Sequence, residues 1–164
     1  MTTFVTVGNM NQPFPRLLAC VEAIASELPQ PIVAQAGNTP YASEAMQVVG
    51  FLPPERFAEL VRTARVLVMH AGAGSIIHAL QAGRAPVVMP RRASLGEAID
   101  EHQSELAEAF AKRGRLLVAH DAESLLAAVR EAMRAPPSPP QAAPTAMVRL
   151  VEAAIRARIA DASR

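Results

Sequence analysis

The amino-acid sequence predicts an α/β fold: a Rossmann-like parallel sheet with helices on both faces, followed by a C-terminal helix. Three observations support this prediction. Short apolar runs alternate with segments of helical periodicity from the N-terminus to about residue 134. The segment 85–90 is apolar throughout, which is typical of a strand buried on both faces of a parallel sheet. A chain of 164 residues that is 51% hydrophobic has enough apolar side chains for one domain with a substantial core.

The strands are predicted from short apolar runs that end at glycine, proline or polar residues. The first run ends at Gly8 and Asn9, and the fourth ends at His70, directly before two closely spaced glycines. Because a helix between two successive strands carries the chain back across the sheet, all of the strands should run in the same direction. The predicted strands cover residues 4–7, 32–37, 46–52, 66–69, 85–90 and 116–120.

The helices are predicted from apolar residues spaced three and four positions apart, and from residues that start or stop helices. Prolines stop the first helix and open the second. Glycines end the third and fourth, and Asp121 provides the N-cap of the fifth. Four of the predicted helices cover residues 14–28, 75–82, 104–113 and 121–133, and the second opens at residues 53–54 and carries Phe57, Leu60 and Val61.

The region after residue 134 has a different composition. Residues 135–145 are rich in proline and are interpreted as a connector. Residues 146–164 carry one apolar stripe at helical spacing, which predicts an amphipathic helix. This helix either packs on its own domain or reaches a second protein. The predicted organisation is therefore a Rossmann-like domain over residues 1–134, the connector, and the terminal helix.

Composition and charge argue against several classes of function. A net charge of +1 without a basic stripe argues against nucleic-acid binding. The single cysteine excludes an intrachain disulfide and fits a reducing compartment. The N-terminus is unlike a secretion leader, and no apolar run approaches the roughly 18 residues that a membrane span needs. These features predict a cytoplasmic protein that reaches a membrane only through a partner.

The turn after the fourth strand is the strongest candidate for a binding site. Ligands of parallel α/β sheets bind beyond the carboxyl ends of the strands. Gly72 and Gly74 let a ligand approach the backbone, and the amides of Gly74, Ser75 and Ile76 are expected to be free donors in the first helical turn. Free amides and the helix dipole favour an anion such as a phosphate. The alternative is a tight strand-to-helix turn that binds nothing.

Familiar phosphate and nucleophile motifs do not decide between these alternatives. No Lys-Ser or Lys-Thr pair follows the glycines, so the P-loop pattern is absent. Gly72 and Gly74 match the first two glycines of the dinucleotide fingerprint, but Ile77 occupies the place of the third. The residues around Ser75 do not match the Gly-x-Ser-x-Gly pattern of a nucleophile elbow.

Two motifs together carry a family resemblance. The turn His70–Ile77 and the later segment with Glu97 and residues 101–103 (Glu-His-Gln) resemble the C-terminal, donor-binding half of glycosyltransferase family 28. The resemblance spans roughly residues 3–130. The opening segment 4–18 and the strand segment 33–37 resemble single-domain members, which are catalytic subunits of two-part transferases that act on dolichol-linked sugars or in bacterial exopolysaccharide synthesis. The resemblance implies a GT-B donor domain that binds a UDP-sugar, and therefore a nucleotide-sugar-binding role for residues 1–134.

The resemblance also assigns roles to individual residues. His78 stands where many members carry the glutamate that holds the ribose hydroxyls. Three further groups are expected around the donor. These are the turn beside the diphosphate (His70, Gly72, Ala73, Gly74, Ser75), the loop that closes over the sugar or nucleotide (Glu97, His102, Gln103), and the first loop of the cleft (Gly8, Asn9).

The chemistry implied by the resemblance is transfer of a hexose with inversion, without a metal and without a cofactor. The chain has no Asp-x-Asp pair, so amides and cations are expected to stabilise the diphosphate, with Arg91 or Arg92 supplying positive charge to the leaving UDP. His70 is a candidate general base, but the base is left unassigned because relatives with two domains usually provide it from the acceptor-binding half.

A donor half alone lacks an acceptor site. The resemblance therefore predicts a membrane-associated acceptor-binding subunit as partner, a lipid-linked sugar as acceptor, and recruitment of the chain to the inner face of the membrane. Two alternatives remain: a nicotinamide-dependent Rossmann oxidoreductase domain, suggested by the partial Gly-x-Gly pattern, and a non-catalytic interaction module that has kept the fold.

Overall fold

A computed structural model describes residues 2–134, which form a six-stranded sheet flanked by five α-helices. All strand pairs are parallel, and the strand order is β3-β2-β1-β4-β5-β6. This confirms the predicted α/β class and the parallel sheet. The strands are β1 (Thr3–Thr6), β2 (Ile32–Gln35), β3 (Gln47–Val49), β4 (Val66–His70), β5 (Val87–Met89) and β6 (Leu117–Val118), and the helices are α1 (Pro15–Ala23), α2 (Pro54–Thr63), α3 (Ala73–Gln81), α4 (His102–Ala111) and α5 (Ala122–Arg134).

The strand order places a topological switch point between β1 and β4, the central pair of the sheet. The chain leaves β1 toward β2 on one side and leaves β4 toward β5 on the other. The loops that follow these two strands therefore separate and open a crevice at the carboxyl edge of the sheet. Gly8 and Asn9 lie on one side of this crevice, and Gly72 lies on the other.

Helices cover both faces of the sheet, as predicted, because the buried strands are apolar on both sides. Along β4, Val66 and Val68 belong to the core under α1 and α5, whereas Leu67 and Met69 belong to the core under α2, α3 and α4. All four side chains are almost fully buried. The two cores hold the strand ends, and hence the crevice, on a rigid support.

Four predicted helix boundaries differ from the structure by two residues or more, one of them the end of α4 at Ala111 instead of residue 113. The first helix is shorter than predicted, because α1 ends at Ala23 and a separate 3-10 turn, Ala25–Glu27, follows it. Helices α3 and α4 each begin two residues before their predicted starts. Their N-cap residues are Gly72 and Glu101, and neither makes a side-chain capping bond, although at the start of α4 the Asp100 Oδ1 atom accepts the His102 amide at 3.1 Å. The Asp121 cap is present: its Oδ1 atom accepts the Ser124 amide at 2.8 Å.

The predicted connector 135–145 and terminal helix 146–164 lie outside the described residues. Within residues 2–134, none of the helices combines the length and apolar character needed to span a membrane.

Candidate functional site

Two cavities open at the crevice, one on each side of the first turn of α3. The larger has a volume of about 700 Å³, and Gly74 and Ser75 form part of its wall. The smaller has a volume of about 220 Å³ and is bordered by Gly72 and Ala73. The Met10 side chain lines both. The glycine turn predicted to bind an anion therefore lies between two concave surfaces and not under its own side chains.

The free donors of this turn are shifted by one residue from the prediction. The Ile76 amide donates to the Gly72 carbonyl at 3.0 Å, so it closes the first helical bond and is not free, as the sequence had suggested. The amides of Ala73, Gly74 and Ser75 come before it, and the N-cap residue, Gly72, makes no side-chain capping bond to them. Three backbone donors and the positive end of the α3 dipole therefore face the crevice.

His70 forms the base of the crevice between two glycines. Its imidazole is so close to both chains that a Cβ atom on Gly8 would lie 2.4 Å from Cε1, and one on Gly72 would lie 2.2 Å from Nε2. The ring is only 6% exposed, and its Nδ1 atom is buried without a hydrogen-bond partner among the described residues. Gly8 and Gly72 thus serve to admit the imidazole, in addition to shaping the turn.

Burial lowers the pKa of His70 to about 4, and the nearby Arg91 cation contributes to a smaller extent. The Thr6 backbone acts in the opposite direction and compensates for only part of this decrease in pKa. The imidazole is therefore neutral at pH 7. A neutral ring with so low a pKa is a poor proton acceptor, which argues against His70 as the general base.

The low pKa predicts a pH dependence of stability. The unfolded chain binds a proton near pH 6.5 and the folded chain only near pH 4, so the free energy of unfolding should fall by about 3 kcal/mol as the pH is lowered across that window. Denaturant titrations at several pH values measure this slope. His70→Gln should lose it, whereas His120→Gln should keep it, because the His120 side chain is exposed. An equal slope in wild type and His70→Gln would contradict the assignment.

The larger cavity combines polar groups at the strand ends with an aromatic wall. Thr6 and Gln35 lie at the ends of β1 and β2, and the Gln35 amide donates to the Thr6 hydroxyl at 3.4 Å. His78 also lines this cavity, and its ring packs edge-to-face against Phe57 with centroids 5.7 Å apart. Phe51 is 56% exposed and completes the wall. Sequence reasoning missed Thr6, Gln35, Phe51 and Phe57, although strand-end positions gave a signal for the first two.

The smaller cavity contains two of the predicted loop residues, but they lie on a helix. His102 and Gln103 form the first turn of α4, and Ile99, which is 81% exposed, precedes them. The Gln103 Oε1 atom accepts the Arg91 amide at 3.3 Å, and the Nε2 atom lies 3.5 Å from the Met10 sulfur. The expected loop that closes over the sugar is therefore a fixed helix terminus here.

Arg91 is not available to a ligand, which corrects its predicted role as a cation for the leaving group. Its side chain is fully buried and donates to the carbonyls of Val7, Gln12 and Glu97 at 2.7, 2.7 and 2.8 Å. Burial lowers the pKa of Arg91 to about 10, so it remains a cation at pH 7. Arg92 is partly exposed and is the remaining candidate of the pair.

Glu97 is likewise turned away from the crevice. Its carboxylate is 5% exposed and accepts two bonds from the Arg16 guanidinium, at 2.8 and 2.7 Å, and one from the Arg92 amide at 3.0 Å. The predicted contact of Glu97 with the sugar is incompatible with these bonds. Within residues 2–134, the structure shows no cluster of three metal-ligating side chains.

Comparison with known proteins agrees with this architecture. A family model described as the glycosyltransferase family 28 C-terminal domain matches residues 2–159. The chain is 34% identical over 80 residues to the UDP-N-acetylglucosamine transferase subunit ALG13 of Yarrowia lipolytica, an alignment that covers 49% of this chain and 39% of that protein. It is 30% identical over 124 residues to the Homo sapiens protein of the same name, covering 69% of this chain and 10% of the relative. The chain thus spans well under half the length of both curated relatives.

Solved structures confirm the fold. The NMR solution structure of ALG13 aligns with a TM-score of 0.61 and 19% identity, over 91% of this chain and 94% of that one. The crystal structure of CalG4, the calicheamicin glycosyltransferase, aligns with a TM-score of 0.62 and 21% identity, over 82% of this chain and 34% of that one. At these identities the likeness shows a shared GT-B-type fold. From the extent of the family match, the chain belongs to glycosyltransferase family 28, in the region of that family's C-terminal domain.

Proposed function

We propose that this chain is the UDP-sugar-binding catalytic subunit of a two-component inverting glycosyltransferase. The observation that carries the proposal is the first turn of α3, whose three uncapped amides lie between two cavities at the switch point of the sheet. Two relatives named as subunits of a UDP-N-acetylglucosamine transferase support the donor class and the need for a partner.

The two cavities differ in a way that suggests how the donor lies. The larger one has an aromatic wall that includes Phe51 and Phe57, which suits a nucleobase and its ribose. The smaller one offers the amide group of Gln103 and the His102 ring, which suit sugar hydroxyls. The diphosphate then lies against the amides of Ala73, Gly74 and Ser75, which join the two cavities.

In the proposed reaction an acceptor hydroxyl oxygen attacks the anomeric carbon of the sugar. The bond from that carbon to the β-phosphate oxygen breaks, UDP leaves with the electron pair, and the hydroxyl proton passes to a base. The amides stabilise the charge that develops on UDP without a metal ion. Because His70 is neutral and buried, we propose that the base belongs to the partner. We propose further that this partner is membrane-associated and holds a lipid-linked sugar used in polysaccharide synthesis. It would recruit this chain from the cytoplasm.

Thermal unfolding in the presence of EDTA tests the donor. UDP at about a hundred times its dissociation constant should stabilise the fold by about 2.7 kcal/mol, or a rise in Tm of about 5–10 °C. UMP should give less, because it lacks the second phosphate. If neither saturating UDP nor UDP-sugars shift Tm, with or without a co-expressed partner, the proposal is wrong.

A titration with NADH, followed by its fluorescence, distinguishes the oxidoreductase alternative from the proposed transferase. The structure favours UDP, because Ile77 in place of the third glycine is a partly buried side chain on α3. A change in NADH fluorescence together with an unmoved Tm in UDP would support the alternative.

A further inference from the structure

A buried aromatic ring at the start of α1 packs against two arginines. Phe14 is fully buried, and the guanidinium carbon of Arg91 lies 4.7 Å from its ring centroid. The guanidinium carbon of Arg16 lies 5.2 Å from the same centroid. Both distances are typical of cation–π contacts, which are stronger when the cation is desolvated. Phe14 and Arg16 belong to the start of α1, whereas Arg91 follows β5.

The Arg91 side chain joins three places in the chain. It donates to the Val7 carbonyl just after β1, to the Gln12 carbonyl in the β1–α1 loop, and to the Glu97 carbonyl in the segment between β5 and α4. These carbonyls belong to irregular backbone, where strand or helix partners are absent. A buried backbone group without a partner is unfavourable, so Arg91 replaces the hydrogen bonds that secondary structure would otherwise supply.

Arg16 makes a second connection across the same gap. It binds the Glu97 carboxylate with two N–H groups and also donates to the carbonyls of Pro90 and His120, at 2.8 and 2.9 Å. The Arg16 and Glu97 side chains are 20% and 6% exposed, so solvent screens this pair little. The residues Phe14, Arg16, Arg91 and Glu97, here called the arginine cluster, thus tie the start of α1 to the β5–α4 segment.

The arginine cluster touches neither cavity, but it holds the segments that border both. The β1–α1 loop carries Asn9 and Met10, and the β5–α4 segment leads to Ile99 and Gln103. We propose that the arginine cluster is a positioning element, which sets the separation of these two segments and thereby the shape of the donor site. This inference rests on the proposed function where it concerns the donor, and on the contacts alone where it concerns the segments.

Hydrogen–deuterium exchange of the full chain tests the inference directly. Arg16→Met removes the bonds to Glu97, Pro90 and His120 but keeps an apolar stem against Phe14. We expect amide exchange in residues 92–101 to be about tenfold faster, while strands β4 and β5 keep wild-type protection. UDP affinity should fall about tenfold, and Arg16→Lys should recover part of both effects. The matched control is Arg130→Met on α5, which breaks the exposed ion pair of Arg130 with Glu27 and should change neither readout.

The outcomes separate this inference from the proposed function. If Arg16→Met lowers global stability but leaves the exchange of residues 92–101 and the UDP affinity at wild-type values, the cluster is structural only and the inference is wrong. If the wild-type chain binds no UDP, the proposed function fails, and the exchange of residues 92–101 alone decides whether the cluster positions the segment. Arg91→Lys provides a second variant, expected to accelerate exchange in residues 8–12 as well.

Discussion

Replacing Gly72 with alanine is expected to lower the free energy of unfolding by about 3 kcal/mol, the upper end for overpacking a closed site. The added Cβ atom would lie 2.2 Å from the His70 Nε2 atom and 2.8 Å from Cδ2. The imidazole is buried and the strand beneath it is part of the central sheet, so neither can move away cheaply. The backbone angles at Gly72, φ −78° and ψ 135°, suit any residue, so crowding alone causes the loss.

Gly74→Ala is the matched control for this prediction. An added Cβ atom at Gly74 meets nothing within 4 Å, and alanine favours a helix over glycine by about 1 kcal/mol. This variant should therefore be as stable as wild type or slightly more so. Urea unfolding of both variants gives the comparison. In the double variant Gly72→Ala with His70→Ala, the crowding disappears, so the two changes should not be additive. A Gly72→Ala protein as stable as wild type would show that the imidazole does not occupy this position.

The second large effect is expected on ligand binding. Gly74→Val should weaken UDP binding by about a hundredfold, or about 3 kcal/mol, because the side chain would stand in front of the amides that we propose to bind the diphosphate. Gly74→Ala should show a smaller loss. Stability should change little in both, since the space around Gly74 is open.

Calorimetric titration with UDP measures the affinities of wild type, Gly74→Ala and Gly74→Val. The volume of the side chain increases along this series, so the losses of affinity should rise in the same order. Should all three proteins bind UDP with equal affinity, the diphosphate lies elsewhere and the proposed donor site is incorrect. Urea unfolding curves of the same variants show whether a loss of UDP affinity arises from unfolding of the protein.

The position of the site could be predicted, but part of its composition could not. The strand before Gly72 and the helix after it are local patterns, and the carboxyl end of a parallel strand is where ligands bind. The sequence predicted the starts of α3 and α4 too late in the chain. As a result, the predicted free amides differ by one residue from the observed ones, and His102 and Gln103 were predicted to lie in a loop. Both errors arose where Gly72 and Glu101 act as N-caps without a capping side-chain bond.

The fold class, the order of the elements, the family and the place of the glycine turn could all be predicted from the amino-acid sequence. All of these depend on apolar periodicity, on helix-stopping residues and on short motifs, which act over a few neighbouring positions. The roles of three side chains became apparent only in the folded chain: Arg91 and Glu97 bind other segments of the protein instead of facing the crevice, and His70 is a buried neutral ring. A side chain's partners and its exposure depend on segments that are distant along the chain, such as Val7 for Arg91, 84 positions away. An arginine that binds carbonyl groups and one that binds phosphate look the same in a sequence, because both offer the same N–H donors.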